Sequence, residues 1–263
     1  MIKSSKVINS IKIISLVAIV ILMSLLIIKE KNHRNIQGID EEPSLPNNSL
    51  LAFNTPYEEY DDTKNDENTA PVFMYSILSE EITEKIVGVS WRENTPVKLD
   101  ELSYIKVTYW GFDDNECMGE MVVHKKLAQE VIDIFKELYD KKFPIGKIRL
   151  IDDYDANDEL SMADNNTSAF CSREVTGKKE VFSNHSYGIA IDINPIQNPY
   201  VKGDIVLPEE GSMYLDRGNV RKGMITRDDT CYNAFKSRGW TWGGEWNGLK
   251  DYQHFEKDIE ITR

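Results

Sequence analysis

From residue 71 onward the sequence predicts an α+β domain, a small and mainly antiparallel sheet with flanking helices, preceded by an N-terminal transmembrane helix. Three observations carry this. Residues 13–28 form an uncharged, strongly apolar run close to the N-terminus. Residues 122–139 place Leu127, Val131, Ile134, Phe135 and Leu138 at spacings of three and four, the stripe of an amphipathic helix. Apolar and β-branched runs lie on both sides of that helix without a regular strand–helix alternation, which favours antiparallel pairing over a doubly wound parallel sheet.

The apolar run follows Lys3, Lys6 and Lys12. At ~1.5 Å per residue, residues 11–28 reach about 27 Å, close to a hydrocarbon core of about 30 Å. It ends Leu25-Leu26-Ile27-Ile28-Lys29, with no small-x-small cleavage site. Residues 1–29 are therefore expected to be an uncleaved signal anchor, making the protein a single-pass membrane protein with its folded domain outside the cytoplasm. Secretion after cleavage is the alternative. In residues 30–70 the acids Glu30, Asp40, Glu41, Glu42, Glu58, Glu59, Asp61, Asp62, Asp66 and Glu67 face only Lys31, Arg34 and Lys64. Such a segment repels itself and has little to bury, so it is expected to be a disordered, extended linker.

Residues 71–263 are enough for one sizeable core. Strands are expected at 104–110, 145–151, 186–193 and 254–261, from their β-branched and aromatic content. Residues 230–238 read as a short helix. The formal net charge of −13 argues against a broad basic face, so nucleic acid is not an expected partner. Cys117, Cys171 and Cys231 are odd in number and far apart, which excludes a disulfide framework and a CxxC structural zinc site.

The chemistry concentrates in two stretches. One, from Ser183 to Asn194, holds His185 and Asp192 around small residues; the other, from Gly239 to Glu256, ends in Asp251-Tyr252-Gln253-His254-Phe255-Glu256. Two imidazoles and a carboxylate make a zinc ligand set with one coordination position open, which is a catalytic rather than a structural arrangement. Asp251, three residues before His254, suits a general base if the chain turns between them, since positions three apart on a strand face opposite sides. The competing readings are ordinary ones: hydrogen-bonded histidines, a strand-end cap at Asp192, a turn former at Asp251. Trp240, Trp242 and Trp246 are expected in the core, and His124 at the surface or as a helix cap.

Taken together, Ser183-x-His185-x-x-Gly188-x-Ala190-x-Asp192, Gly239-Trp240-x-Trp242-Gly243-Gly244-x-Trp246 and Asp251-Tyr252-x-His254-Phe255-Glu256 resemble the M15 family of zinc peptidases. The resemblance extends through Phe170-Cys171-Ser172-Arg173 and Asn198-Pro199-Tyr200. It implies a domain of the hedgehog/DD-peptidase type and one zinc ion held by His185, Asp192 and His254. It implies Asp251 as general base, Arg173 as the arginine that hydrogen-bonds the scissile carbonyl and the oxyanion, and Ser183 as a substrate contact. A surface ion pair is the rival reading of Arg173. The implied substrates are peptidoglycan stem peptides, cut by a D-Ala-D-Ala carboxypeptidase or by an L-Ala-D-Glu endopeptidase. Asp rather than Glu at position 251 resembles the endopeptidase branch, while the Asn-Pro-Tyr and Trp-Gly-Gly words also occur in the carboxypeptidases, the reading preferred here. A wall-binding module without turnover is the reading outside enzymes.

Overall fold

The computed structural model describes residues 70–175 and 181–261. The expected membrane helix at 1–29 and linker at 30–70 lie outside these residues, save residue 70. Among the described residues no helix is long and apolar enough to cross a membrane.

The domain begins with an antiparallel sheet. Strand β1 (Phe73–Ile77) pairs with β2 (Leu102–Trp110), and β2 pairs along its whole length with β3 (Glu116–His124), from Leu102 opposite His124 to Trp110 opposite Glu116. A short helix, α1 (Glu80–Ile86), lies between β1 and β2, N-capped by the Ser79 hydroxyl. The β2–β3 turn is closed by Gly111 N donating to Asn115 O, with Asp114 in the left-handed region at φ 63°.

Helix α2 spans Ala128–Asp140 and follows a 3-10 turn at Lys125–Leu127. The expected helix over 122–139 therefore starts later. Val122 and Val123 belong to β3, where they find backbone partners opposite Tyr104 and Ser103 that a helix would deny them. From Leu127 on, the spacing of three and four holds. Val131, Ile134, Phe135 and Leu138 are buried with Ile105, Val107 and Met121 of the first sheet, Phe235 of α4 (Thr230–Lys236), and Trp240. Burial of a face like this contributes roughly 1.5–3 kcal/mol for each large apolar side chain.

The remaining strands are short. The expected strand at 145–151 is reduced to β4 (Lys147–Ile148), which pairs parallel with β5 (Asn166–Thr167). Residues 186–193 divide into the end of a 3-10 turn (Asn184–Tyr187) and β6 (Ala190–Asp192). Residues 254–261 keep a strand only at β11 (His254–Glu256). A single sheet was expected; the described residues instead form several small antiparallel sheets and one parallel pair. In the sheet that matters most, β11 lies between β6 and β9 (Thr241–Trp242). In a neighbouring one, β7 (Tyr200–Lys202) lies between β8 (Ile205–Leu207) and β10 (Lys250–Asp251). A further helix, α3, spans Asp158–Ala163, and the three cysteines are free thiols.

The loop after β6 is fixed by two buried asparagines. Asn194 adopts φ 49°, accepts from Gly146 N at 2.9 Å and donates to Pro144 O at 2.8 Å. Asn198 accepts from Ile225 N at 2.7 Å. Paired side-chain amides here replace backbone pairing that an irregular buried loop lacks.

Candidate metal centre and active site

Three elements bring the site together. His185 lies in the turn at Asn184–Tyr187, N-capped by Ser183 and ended by Gly188 at φ 68°. Glycine is required at 188 twice over: the left-handed backbone favours it, and a Cβ there would lie 2.5 Å from His124 N. Asp192 ends β6, its backbone exchanging hydrogen bonds with Ser168. His254 opens β11 directly opposite Asp192, so the two side chains leave the sheet on the same face.

The ligand atoms of His185, Asp192 and His254 lie within 4.8 Å of one another, and all three residues are buried, at 3%, 4% and 6% exposure. His185 Nδ1 is 2.6 Å from the Ala169 carbonyl. A carbonyl only accepts, so that nitrogen carries the proton and Nε2 is the free one. Nε2 faces Asp192 Oδ2 at 3.1 Å and His254 Nδ1 at 3.2 Å. His254 Nδ1 lies 2.9 Å from Asp192 Oδ1, and its Nε2 lies 3.0 Å from Glu256 Oε2. Burial works against the Asp192 charge, but the two imidazoles outweigh it and hold the carboxyl well below its usual range. Burial likewise works against the imidazolium of His254, yet hydrogen bonds to Asp192 and Glu256 push it up to about 10.

This donor set fits a divalent metal. Two imidazole nitrogens and one carboxylate oxygen converge, the His254 proton being given up when a metal binds, and the outer nitrogen of each ring has its own acceptor, as metal-binding histidines generally do.

Asp251 lies in β10 opposite Tyr200, and the chain bends at Tyr252 and Gln253 before β11 begins. The expected turn thus falls just after Asp251, between strands of two different sheets. Its Oδ1 is buried without a hydrogen-bond partner, and burial, reinforced by the Asp192 charge, pushes the carboxyl up to about 7. Gly243 makes room for it: a Cβ there would meet Asp251 O at 2.5 Å.

Arg173 is tied to Asp158 at the start of α3, Nη2 to Oδ2 3.0 Å, while its Nε is buried and unpartnered. Its backbone is clamped by Ser186, whose hydroxyl accepts from Arg173 N at 2.9 Å and donates to Arg173 O at 2.8 Å. Despite the cost of burial its pKa is raised, by Asp158 foremost and also by Asp192 and Asp251, so the guanidinium lies in the field of the site. The ion pair weighed as the rival reading of Arg173 is therefore present, but with a residue at the site's edge. Ser183 is buried, and its hydroxyl contact is with His185 N at 3.4 Å.

The remaining candidates have structural places. Trp240 and Trp242 are in the core, while Trp246 is half-buried with its ring 5.2 Å from that of His254. Glu245 is held by Tyr232, Lys236 and Arg227. Cys171 is no nucleophile, since burial pushes its thiol up to about 12. His124, expected at the surface or as a cap, is a cap and is buried, accepting from Lys126 N at 3.1 Å. Two residues that sequence reasoning gave no role belong to the site: Glu256, behind His254, and Asn184, whose Nδ2 donates to Glu256 Oε2 at 2.6 Å. The available signal was spacing, because residues two apart on a strand share a face.

A buried His-Asp-His cluster that could hold a metal, beside a carboxylate with one unpartnered oxygen and a charged arginine, supports a metallopeptidase. Residues 176–257 match the M15 peptidase family model described as D-alanyl-D-alanine carboxypeptidase, and the segment so matched contains His185, Asp192, Asp251 and His254. That segment is thus similar to the M15 peptidase family, as the sequence words had implied. No solved structure matches the chain.

Proposed function

We propose that the protein is a zinc-dependent peptidase of the bacterial wall that hydrolyses peptidoglycan stem-peptide bonds, acting as a D-alanyl-D-alanine carboxypeptidase. The observation that carries this is the convergence of His185, Asp192 and His254 next to Asp251, whose carboxyl changes charge near neutral pH. The carboxypeptidase reading is supported by the description of the matching family.

His185 through Nε2, His254 through Nδ1 and Asp192 through its carboxylate would hold the zinc. Zinc bound there supplies a Lewis acid that polarises the scissile carbonyl and makes water more acidic. Asp251 takes the proton of the attacking water as the new C–O bond forms, and returns it to the amide nitrogen as the C–N bond breaks, releasing a carboxylic acid and an amine. A carboxyl titrating near pH 7 is suited to both directions of that transfer. Arg173 donates to the carbonyl oxygen as negative charge develops on it. Its Nη2 is tied to Asp158, which fixes the orientation of the guanidinium. Ser183, beside both Arg173 and His185, contacts the substrate peptide.

The residue type at 251 favours a second reading, an endopeptidase cutting between L-Ala and D-Glu. In either case the apolar N-terminal run anchors the chain in the cell membrane, and the acidic stretch lets the domain reach the wall from outside the cytoplasm. Mass spectrometry of muropeptides with a defined pentapeptide stem, incubated with the full chain plus zinc or plus chelator, tests these assignments. Zinc-dependent loss of one D-Ala is expected. Release at L-Ala-D-Glu replaces the carboxypeptidase by the endopeptidase, and absence of any product with stoichiometric zinc bound leaves a wall-binding module.

A further inference from the structure

We propose that Glu256, braced by Asn184, is a positioning residue that aims His254 Nδ1 at the metal; this rests on the metallopeptidase reading above. A histidine ring pivots about its Cα–Cβ and Cβ–Cγ bonds, and binding through Nδ1 requires the far nitrogen, Nε2, to be held. Glu256 Oε2 lies 3.0 Å from that nitrogen. Nδ1 faces Asp192 and His185 on the inner side of the site, and a carboxylate only accepts, so when Nδ1 gives up its proton for a metal the remaining proton is held on Nε2 by Glu256.

The strand fixes this arrangement. His254 and Glu256 share one face of β11, while Phe255 points the other way into the core, stacked on Phe235 with ring centroids 4.1 Å apart. Phe255 thereby seats the strand from which both His254 and Glu256 project. The same oxygen accepts from Asn184 Nδ2 at 2.6 Å, and Asn184 immediately precedes His185. One carboxylate thus links the turn that carries the first ligand to the strand that carries the last, and the link is a side-chain bridge between segments far apart in sequence. An ordinary exposed ion pair would contribute little, but His254 is buried, and a charged acceptor on a buried ring is worth more than one in water.

The test measures zinc affinity of the full chain by chelator competition and the visible absorption of the cobalt(II)-substituted protein, neither of which needs turnover. Glu256→Gln, which keeps an acceptor but loses the charge, is expected to weaken zinc binding by about 10-fold, and Glu256→Ala by up to ~100-fold, with a changed cobalt spectrum in both. Asn184→Ala is expected to give a smaller loss in the same direction. Thermal unfolding of the metal-free variants checks folding, and if Glu256→Ala fails to fold, Glu256→Gln and Asn184→Ala decide. Zinc affinity within twofold of native in all folded variants, with native zinc bound at one per chain and abolished by His254→Ala, overturns the role of Glu256 alone. A native chain that binds no stoichiometric zinc overturns the metallopeptidase reading and this inference with it.

Discussion

Asp192 Oδ1 and His254 Nδ1 face each other at 2.9 Å from directly opposed positions of β6 and β11. The other oxygen of the same carboxylate lies 3.1 Å from His185 Nε2, so a single buried acid serves both imidazoles. In the metal-free chain its negative charge balances the His254 imidazolium, and removing one partner of a buried pair leaves the other uncompensated. Asp192→Asn is therefore expected to destabilise the metal-free protein by roughly 3 kcal/mol at pH 7, and to abolish retention of zinc through gel filtration. Urea denaturation and elemental analysis of the purified variant check the two effects. An unchanged zinc content would remove Asp192 from the ligand set.

Asp251 is expected to separate binding from chemistry. Its carboxyl is not among the three converging ligand groups, so Asp251→Asn should retain one zinc per chain. Hydrolysis of the stem peptide should fall by about 10²- to 10⁴-fold, the usual contribution of a positioned general base. Side-by-side measurement of zinc content and kcat decides this, and a variant that loses zinc and activity together would place Asp251 among the ligands.

The same residue gives a pH dependence of stability. Burial raises the folded-state pKa of Asp251 from 3.8 to about 7, so folding favours its neutral form. The associated stability is fully present below about pH 4 and is lost as pH rises through about 7. Asn cannot ionise and avoids the loss. In the presence of chelator, Asp251→Asn is expected to match the native chain near pH 4 and to exceed it at pH 8 by roughly 2–4 kcal/mol. Urea midpoints at the two pH values test the sign, and a native chain that is the more stable at pH 8 contradicts a desolvated carboxyl.

Much of the site was legible from sequence because each important side chain sits in a short word whose neighbours serve its geometry. Gly188 permits the left-handed end of the His185 turn, and Gly243 leaves room for the Asp251 backbone. The amphipathic helix was legible from Leu127 onward for the same local reason. Its start was not, because Val122 and Val123 are apolar in either conformation and only β2, opposite them, decides for a strand. The division into several small sheets was equally hidden, since strands as short as Lys147–Ile148 are defined by pairing and not by pattern. Glu256 escaped because its spacing of two from His254 places both on one face of a strand but does not show that the ring turns Nε2 toward it.

Gly243→Ala tests how closely the Trp-Gly-Gly turn and the proposed base are coupled. The added Cβ would lie 2.5 Å from Asp251 O and 2.8 Å from Asp251 Cβ, so backbone must move to admit it. Overpacking of this kind costs roughly 1–3 kcal/mol, and the displaced strand is β10, whereas His254 belongs to β11 in a different sheet. The expected result is a lowered unfolding temperature and a reduced kcat, with zinc affinity close to native. Equal losses of zinc affinity and kcat would show that β10 and the metal ligands move as one body.

Arg173→Lys asks whether charge or shape matters at the edge of the site. Lysine would keep a positive charge beside Asp158, Asp192 and Asp251, but it has one ammonium where arginine uses Nη2 for Asp158 and has Nε buried without a partner. If Arg173 stabilises the oxyanion, the substitution removes a directed donor while conserving net charge. The expected loss is about 10²-fold in kcat, with a smaller change in KM and unchanged zinc content. Asp158→Asn leaves the guanidinium in place but releases it, and is expected to lose less, about 10-fold. A loss confined to KM in both variants would instead make Arg173 a ground-state contact for a substrate carboxylate, which is what a carboxypeptidase requires and an endopeptidase does not.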